Sequence, residues 1–178
     1  MKLVFRIVLA LLAMTSIAHA EEASPSKAEP LAPLRARAFG GVTKAALFDL
    51  PVSGPMGGMS LGAGLRRSWG GVDGYVDFAY DALETQHGVG VHRYDFGVTG
   101  EVIFWHFRAG LGWDFGMASV ARLSGSTESA RRVFLGAHAT VGVDLFTVAG
   151  FTPYVQGRGD YNTAFPSLGL NGGLRYAF

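Results

Sequence analysis

The sequence predicts an all-β chain folded as an eight-stranded antiparallel up-and-down transmembrane β-barrel, and three observations predict it. Segments of about ten residues alternate apolar with small or polar side chains, which is the period of a strand with two different faces. The charged members of that alternation are Arg and Asp interleaved with Gly. Connections of alternating length separate the segments, as an up-and-down membrane barrel requires.

Taken in order, residues 1–20 read as a secretory signal peptide. Lys2 and Arg6 precede the apolar run of residues 7–13, and Ala18-His19-Ala20 supplies the small-x-small cleavage pattern, so the mature chain is expected to begin at Glu21. The run is shorter than the ~20 residues a helix needs to span a bilayer. Residues 21–34 carry Pro25, Pro30 and Pro33 among Ala, Ser, Glu and Lys, a composition that stays extended and is expected to form a periplasmic tether. Residues 35–178 form one domain, the barrel. The absence of cysteine excludes a lipoprotein anchor, disulfides and a thiolate metal site. Removing Lys2 and Arg6 from the 15 basic residues leaves 13 against 14 acidic ones, a balance that gives no basic face for nucleic acid.

The first strand, residues 35–48, is the irregular one. Arg35 and Arg37 mark an inward face, but Phe39 then falls inward and Lys44 outward, so a bulge at Gly40-Gly41 is expected to restore the phase. The later strands alternate more cleanly. Met59, Leu61, Ala63 and Leu65 oppose Ser60, Gly62, Gly64 and Arg66. Val72, Val76, Phe78 and Tyr80 oppose Asp73, Tyr75, Asp77 and Asp81. Tyr94, Phe96, Val98 and Val102 oppose Arg93, Asp95, Thr99 and Glu101. Phe107, Leu111, Trp113, Phe115 and Met117 oppose Arg108, Gly112, Asp114 and Gly116. Val133, Leu135, Val141 and Val143 oppose Arg132, His138, Thr140 and Asp144. Phe151, Val155 and Tyr161 oppose Tyr154, Gln156, Arg158 and Asp160, with Pro153 tolerable near the strand start. Leu168, Leu170, Leu174, Tyr176 and Phe178 oppose Gly169, Asn171, Gly173 and Arg175. Outer loops are then expected at residues 49–58, 84–88, 119–131 and 162–167, and periplasmic turns at 68–71, 103–106 and 146–150. An even strand count puts both termini on the periplasmic side, where Trp69, Phe104, Trp105, Phe146 and Phe151 would form an aromatic girdle.

A soluble lipocalin-like barrel also alternates, but it turns its charges outward. Residue types favour the membrane. Lysine survives after residue 20 only at Lys27 and Lys44, and seven of the eight aspartates share a face with the glycines, Asp49 being the exception. An eight-stranded interior is just wide enough for side chains to fill. Charges enclosed there need partners. Arg35, Arg37, Arg66, Arg93, Arg108, Arg132, Arg158 and Arg175 are expected to pair with Asp73, Asp77, Asp81, Asp95, Asp114, Asp144, Asp160 and Glu101 in a salt-bridged plug.

With these residues in view, residues 35–178 resemble the small outer-membrane barrels of the OmpA-transmembrane-domain and OmpX type. Leu170, Gly172, Leu174, Tyr176 and the terminal Phe178 resemble the signal read by the outer-membrane assembly machinery. The resemblance implies a monomer in the outer membrane of a Gram-negative bacterium, in contact with lipid, lipopolysaccharide and that machinery. No peptidoglycan-binding domain is expected after the barrel, so the anchoring role of full OmpA-like proteins is not expected to carry over.

Chemistry is sparse, and a structural or surface-recognition role through the outer loops is the leading expectation. Its alternatives are a lipid A-modifying enzyme and a narrow pore. For an enzyme the best set is His138 with Thr140 and Asp144 on one strand face, but i to i+2 spacing is wide for a general base and its nucleophile, and the set points into the barrel. His87, His92 and His106 have neither serine partners nor metal-ligand spacing, and no cofactor motif is present. The Gly-rich stretches at residues 54–58 and 88–90 open no helix that could cradle phosphate. Arg122, Arg131 and Arg132 lie in or beside one outer loop, where guanidinium forks could meet lipopolysaccharide phosphates.

Overall fold

The computed structural model describes residues 33–47, 50–67, 70–86, 88–121, 130–163 and 166–178. The expected signal peptide, most of the tether, Trp69, His87 and Arg122 lie outside the described residues. Eight strands follow one another among those described: β1 (Leu34–Leu47), β2 (Leu50–Arg67), β3 (Gly70–Thr85), β4 (Gly90–Phe104), β5 (Phe107–Ala121), β6 (Ala130–Asp144), β7 (Phe151–Asn162) and β8 (Ser167–Ala177). Each pairs antiparallel with its sequence neighbour, and β8 pairs with β1 to close the barrel. Closure gives every strand a partner on both sides, which is what hydrocarbon demands of a sheet, although the outer end of β6, before Gly136, runs past its ladder to β7.

Two expectations about the first hairpin fail. The loop expected at residues 49–58 is strand from residue 50 on: β2 begins at Leu50, and Leu47 pairs with Leu50 across a two-residue connection. Pro51, Gly54, Pro55, Gly57 and Gly58 look like turn residues, but the strand accommodates them. The two prolines point outward, and the ladder to β3 skips the rungs of Gly54 and Pro55, where proline has no N–H to donate. There is also no bulge at Gly40-Gly41. β1 keeps a single register with β2 from Leu34 to Leu47 and with β8 from Arg35 to Ala45. Phe39 therefore does face the lumen, and a glycine makes room for it: a Cβ at Gly58, its cross-strand partner, would collide with the Phe39 ring. Lys44 faces outward near the end of β1.

The inward side chains fall into two layers. Toward the termini and through the middle they are mainly charged and polar, with Ala79 and Ile103 among them. At the opposite, outer end Ala45, Val52, Leu83, Val91, Ala118 and Phe134, one from each of β1 to β6, form a buried apolar cluster. The exterior is inverted relative to a soluble protein. Met59, Leu61, Val76, Phe96, Val98, Leu111, Trp113, Phe115, Leu135, Val141, Leu168 and Leu170 are all exposed. Among the described residues the outward-facing charges are Lys44, Arg67, Glu84 and Arg131, each within three residues of a strand end. At the end bearing the termini, Phe104, Trp105, Phe146 and Phe151 are exposed around the rim, with Tyr176 packed between Phe151 and Phe178 at ring distances of 4.5 and 4.8 Å.

The turn between β6 and β7 closes with reciprocal bonds between Val148 and Phe151, both 2.9 Å, around Ala149 and Gly150 at φ of 50° and 83°. Two left-handed residues in a two-residue hairpin are a type I′ turn, for which Asn-Gly is the favoured pair. Ala149→Asn is therefore expected to raise the unfolding free energy by about 1 kcal/mol in a urea titration, because Asn tolerates the left-handed region better than Ala.

Candidate functional site: the charged lumen

Strand alternation turns every second position inward, and register decides which of the inward charges meet. Around Glu101 on β4, Arg37 donates from Nη1 to Oε1 at 2.6 Å and Arg108 donates to Oε2, with Gln156 Nε2 adding a third donor at 3.3 Å. Arg37 also donates to Asp77 at 2.7 Å and to Ser60 at 2.8 Å, so its fork ties β1 to β2, β3 and β4. Its guanidinium lies 4.0 Å from the centre of the Tyr75 ring, and that of Arg108 lies 4.9 Å from Tyr154. Arg175 and Arg108 share Asp144, at 2.6 and 3.3 Å. Nearer the termini Asp73 takes a two-point bond from Arg66, at 2.6 and 3.0 Å, with Arg35 at 3.2 Å and the Tyr75 hydroxyl donating at 2.9 Å.

A second group sits beneath the apolar cluster. Arg93 lies 2.5 Å from Asp81, 3.0 Å from Asp95 and 3.5 Å from Asp160, and donates to the Ser167 hydroxyl at 2.7 Å. Arg158 bridges Asp160 at 2.6 Å and Asp114 at 3.0 Å. The two groups meet through Thr99 and His138: Thr99 donates to Asp77, His138 Nε2 lies 2.8 Å from the Thr99 hydroxyl, and His138 Nδ1 lies 2.7 Å from Asp114. The flat approach of the imidazole to the wall needs Gly112, where a Cβ would overlap the ring. With its one proton given to Asp77, the Thr99 hydroxyl is left to accept from His138 Nε2.

The residues expected to share the interior thus meet in bonded groups, and two of the expected arginines stand at the rims. Arg66 is partly exposed at the inner rim while holding Asp73. Arg132 keeps the inward parity but is exposed, because β6 outlasts β7: their pairing begins only at Gly136 and Asn162, so residues before it have no wall on that side. The set His138, Thr140 and Asp144 does not converge. His138 reaches across to Asp114 on β5 and Thr99 on β4, while Asp144 is held by Arg108 and Arg175. The hydrogen-bonded file Asp114, His138, Thr99 has the order of a catalytic triad, but all three side chains are buried in the lumen. Asp114, His138 and Asp160 also bring three ligand atoms within 4.8 Å. There the Arg158 guanidinium already bridges both carboxylates, and both ring nitrogens are engaged.

At the C-terminus Leu174 and Phe178 face outward, and the Phe178 N–H donates to Leu34 at 3.0 Å, completing the seam between the last strand and the first.

No protein-family profile matches the chain, and no curated protein does. Solved structures do. Neisserial surface protein A superposes with a TM-score of 0.61 at 18% identity, over 82% of this chain and 97% of that one. The attachment invasion locus protein of Yersinia pestis superposes with a TM-score of 0.55 at 14% identity, over 83% of this chain and all of the other (100%). The chain has the fold of the small, eight-stranded outer-membrane barrels that its sequence resembles.

Proposed function

We propose that the protein is an integral outer-membrane barrel with a closed, charge-filled lumen, which acts as a structural and surface-recognition element through its outer loops and not as a channel or an enzyme. The observation that supports this most is the inversion of its two faces. Wide apolar side chains are exposed around the wall, the outward charges among the described residues stand near strand ends, and Arg37, Arg93, Arg108, Arg158 and the carboxylates they hold are paired inside. Water outside and lipid inside would reverse that arrangement. The lumen is further blocked at its outer end by the apolar cluster of Val52, Leu83, Val91 and Phe134.

In this reading residues 1–20 are removed after Ala20, residues 21–34 lie in the periplasm, and the outer hairpins meet lipopolysaccharide. Leu174, Tyr176 and Phe178 engage the assembly machinery as the chain inserts. The test combines fractionation with electrophysiology. The protein is expected in the outer-membrane fraction with heat-modifiable gel mobility, and without conductance of porin size in planar bilayers. Recovery as a soluble protein would overturn the membrane reading, and a large steady conductance would overturn the closed lumen.

A further inference from the structure

Where β6 outlasts β7, the outer wall carries a cleft of about 500 Å³ lined by Trp113, Leu135, Ala137, Tyr161, Asn162 and Thr163. Register explains its shape. Trp113 pairs with Ala137 and Ala137 with Tyr161, so two large aromatic side chains stand on either side of one methyl group. Both aromatics project from the wall, 72% and 79% exposed. Below this row the surroundings are apolar. Above it the exposed Thr163 forms the lip on this face, its hydroxyl accepting from the Leu135 N–H at 3.3 Å, while Asn162 beside it turns into the buried interior. Farther up the same face of β6, past Leu135 and Val133, stands the exposed Arg131.

We infer that this strip is a subsite for a phosphorylated glycolipid of the lipopolysaccharide type, with an acyl chain between Trp113 and Tyr161 over Ala137 and a phosphate at Arg131. This rests on the membrane reading above and deepens it. The dimensions agree: six residues from Ala137 to Arg131 span about 20 Å of strand. At a tilt of about 40° that is roughly 15 Å of depth, one leaflet of a ~30 Å hydrocarbon core. The order of chemistry agrees as well. Trp113 and Tyr161 give an acyl chain two wide apolar walls with a single methyl group between them. A guanidinium is the side chain of choice for phosphate.

The test uses the folded mature protein in detergent micelles, with bisphosphorylated lipid A, its dephosphorylated form and phosphatidylglycerol as separate probes, and native mass spectrometry as readout. Ala137→Trp fills the cleft and Arg131→Gln removes the phosphate partner, with heat-modifiable mobility checked for each. The wild type is expected to retain bisphosphorylated lipid A in preference to both other probes. Each variant is expected to weaken retention about tenfold, the effect of losing about 1.4 kcal/mol. Unchanged retention in Ala137→Trp, or equal retention of phosphatidylglycerol, would overturn the subsite. So would a wild-type dimer that Ala137→Trp dissociates, since a second copy would then fill the cleft. A folded barrel that ignores lipid A removes the subsite alone, whereas a wild type without a heat shift removes the membrane reading on which it depends.

Discussion

Glu101→Gln is expected to lower the unfolding free energy by about 3–5 kcal/mol, the range for removing one partner of a buried ion pair. The side chain is nearly isosteric, so packing is conserved and the change is one of charge. Glu101 is 1% exposed and lies between Arg37 and Arg108, and its removal leaves both guanidiniums short of a counter-charge in the middle of the lumen. Asp77 and Asp144 remain to hold one face of each arginine, which is why the barrel should still form. The measurement is a urea titration of folded protein in micelles, followed by the loss of the fast-migrating band. Glu84→Gln serves as the comparison: that carboxylate is exposed at the end of β3, and its substitution should stay within about 0.5 kcal/mol. If the two variants unfolded together, the lumen charges would be solvated and the closed interior would be wrong.

Most of the barrel could be read from alternation, because a strand with lipid on one side and a filled lumen on the other must change residue type at every step. The first hairpin could not, for a local reason. Pro51, Gly54, Pro55, Gly57 and Gly58 carry turn chemistry, and only the cross-strand ladder shows that they lie in β2 with outward prolines. The apolar cluster at the outer end was missed for a related reason. Val52, Leu83 and Val91 hold inward positions just beyond the segments where charge and glycine had marked the lumen. Their parity alone could have placed them, had the strands been extended through the expected loops. The partners of His138 were out of reach in principle. Asp114 and Thr99 come to it from other strands, and which residues meet across strands depends on register, which one sequence does not encode in any local pattern. The same limit applies to the cleft. Trp113, Ala137 and Tyr161 are unremarkable outward residues until pairing sets them in one row.

Leu111→Arg is expected to destabilise the barrel in phospholipid vesicles by about 2–4 kcal/mol, the penalty for an arginine facing lipid at the bilayer midplane. Leu111 points outward from β5 at 46% exposure, between Gly100 and Ala139 on the neighbouring strands, four residues above the inner rim at Phe107. Val133→Arg supplies the depth control. Val133 is more exposed, at 65%, but lies near the outer end of β6 beside Arg131 and Arg132, where the same substitution should cost no more than about 1 kcal/mol. The contrast separates two environments that the shape of a barrel alone does not distinguish. In water, an arginine at either exposed position would be nearly neutral, within about 0.5 kcal/mol. A dependence on exposure alone would make Val133 no more sensitive than Leu111, and both would be tolerated. Only a hydrocarbon layer around the middle of the wall makes the less exposed position the costly one, because the charge there is farthest from either interface and its side chain must bend along the wall to reach water. Equal, small effects at both positions would therefore place the barrel in water.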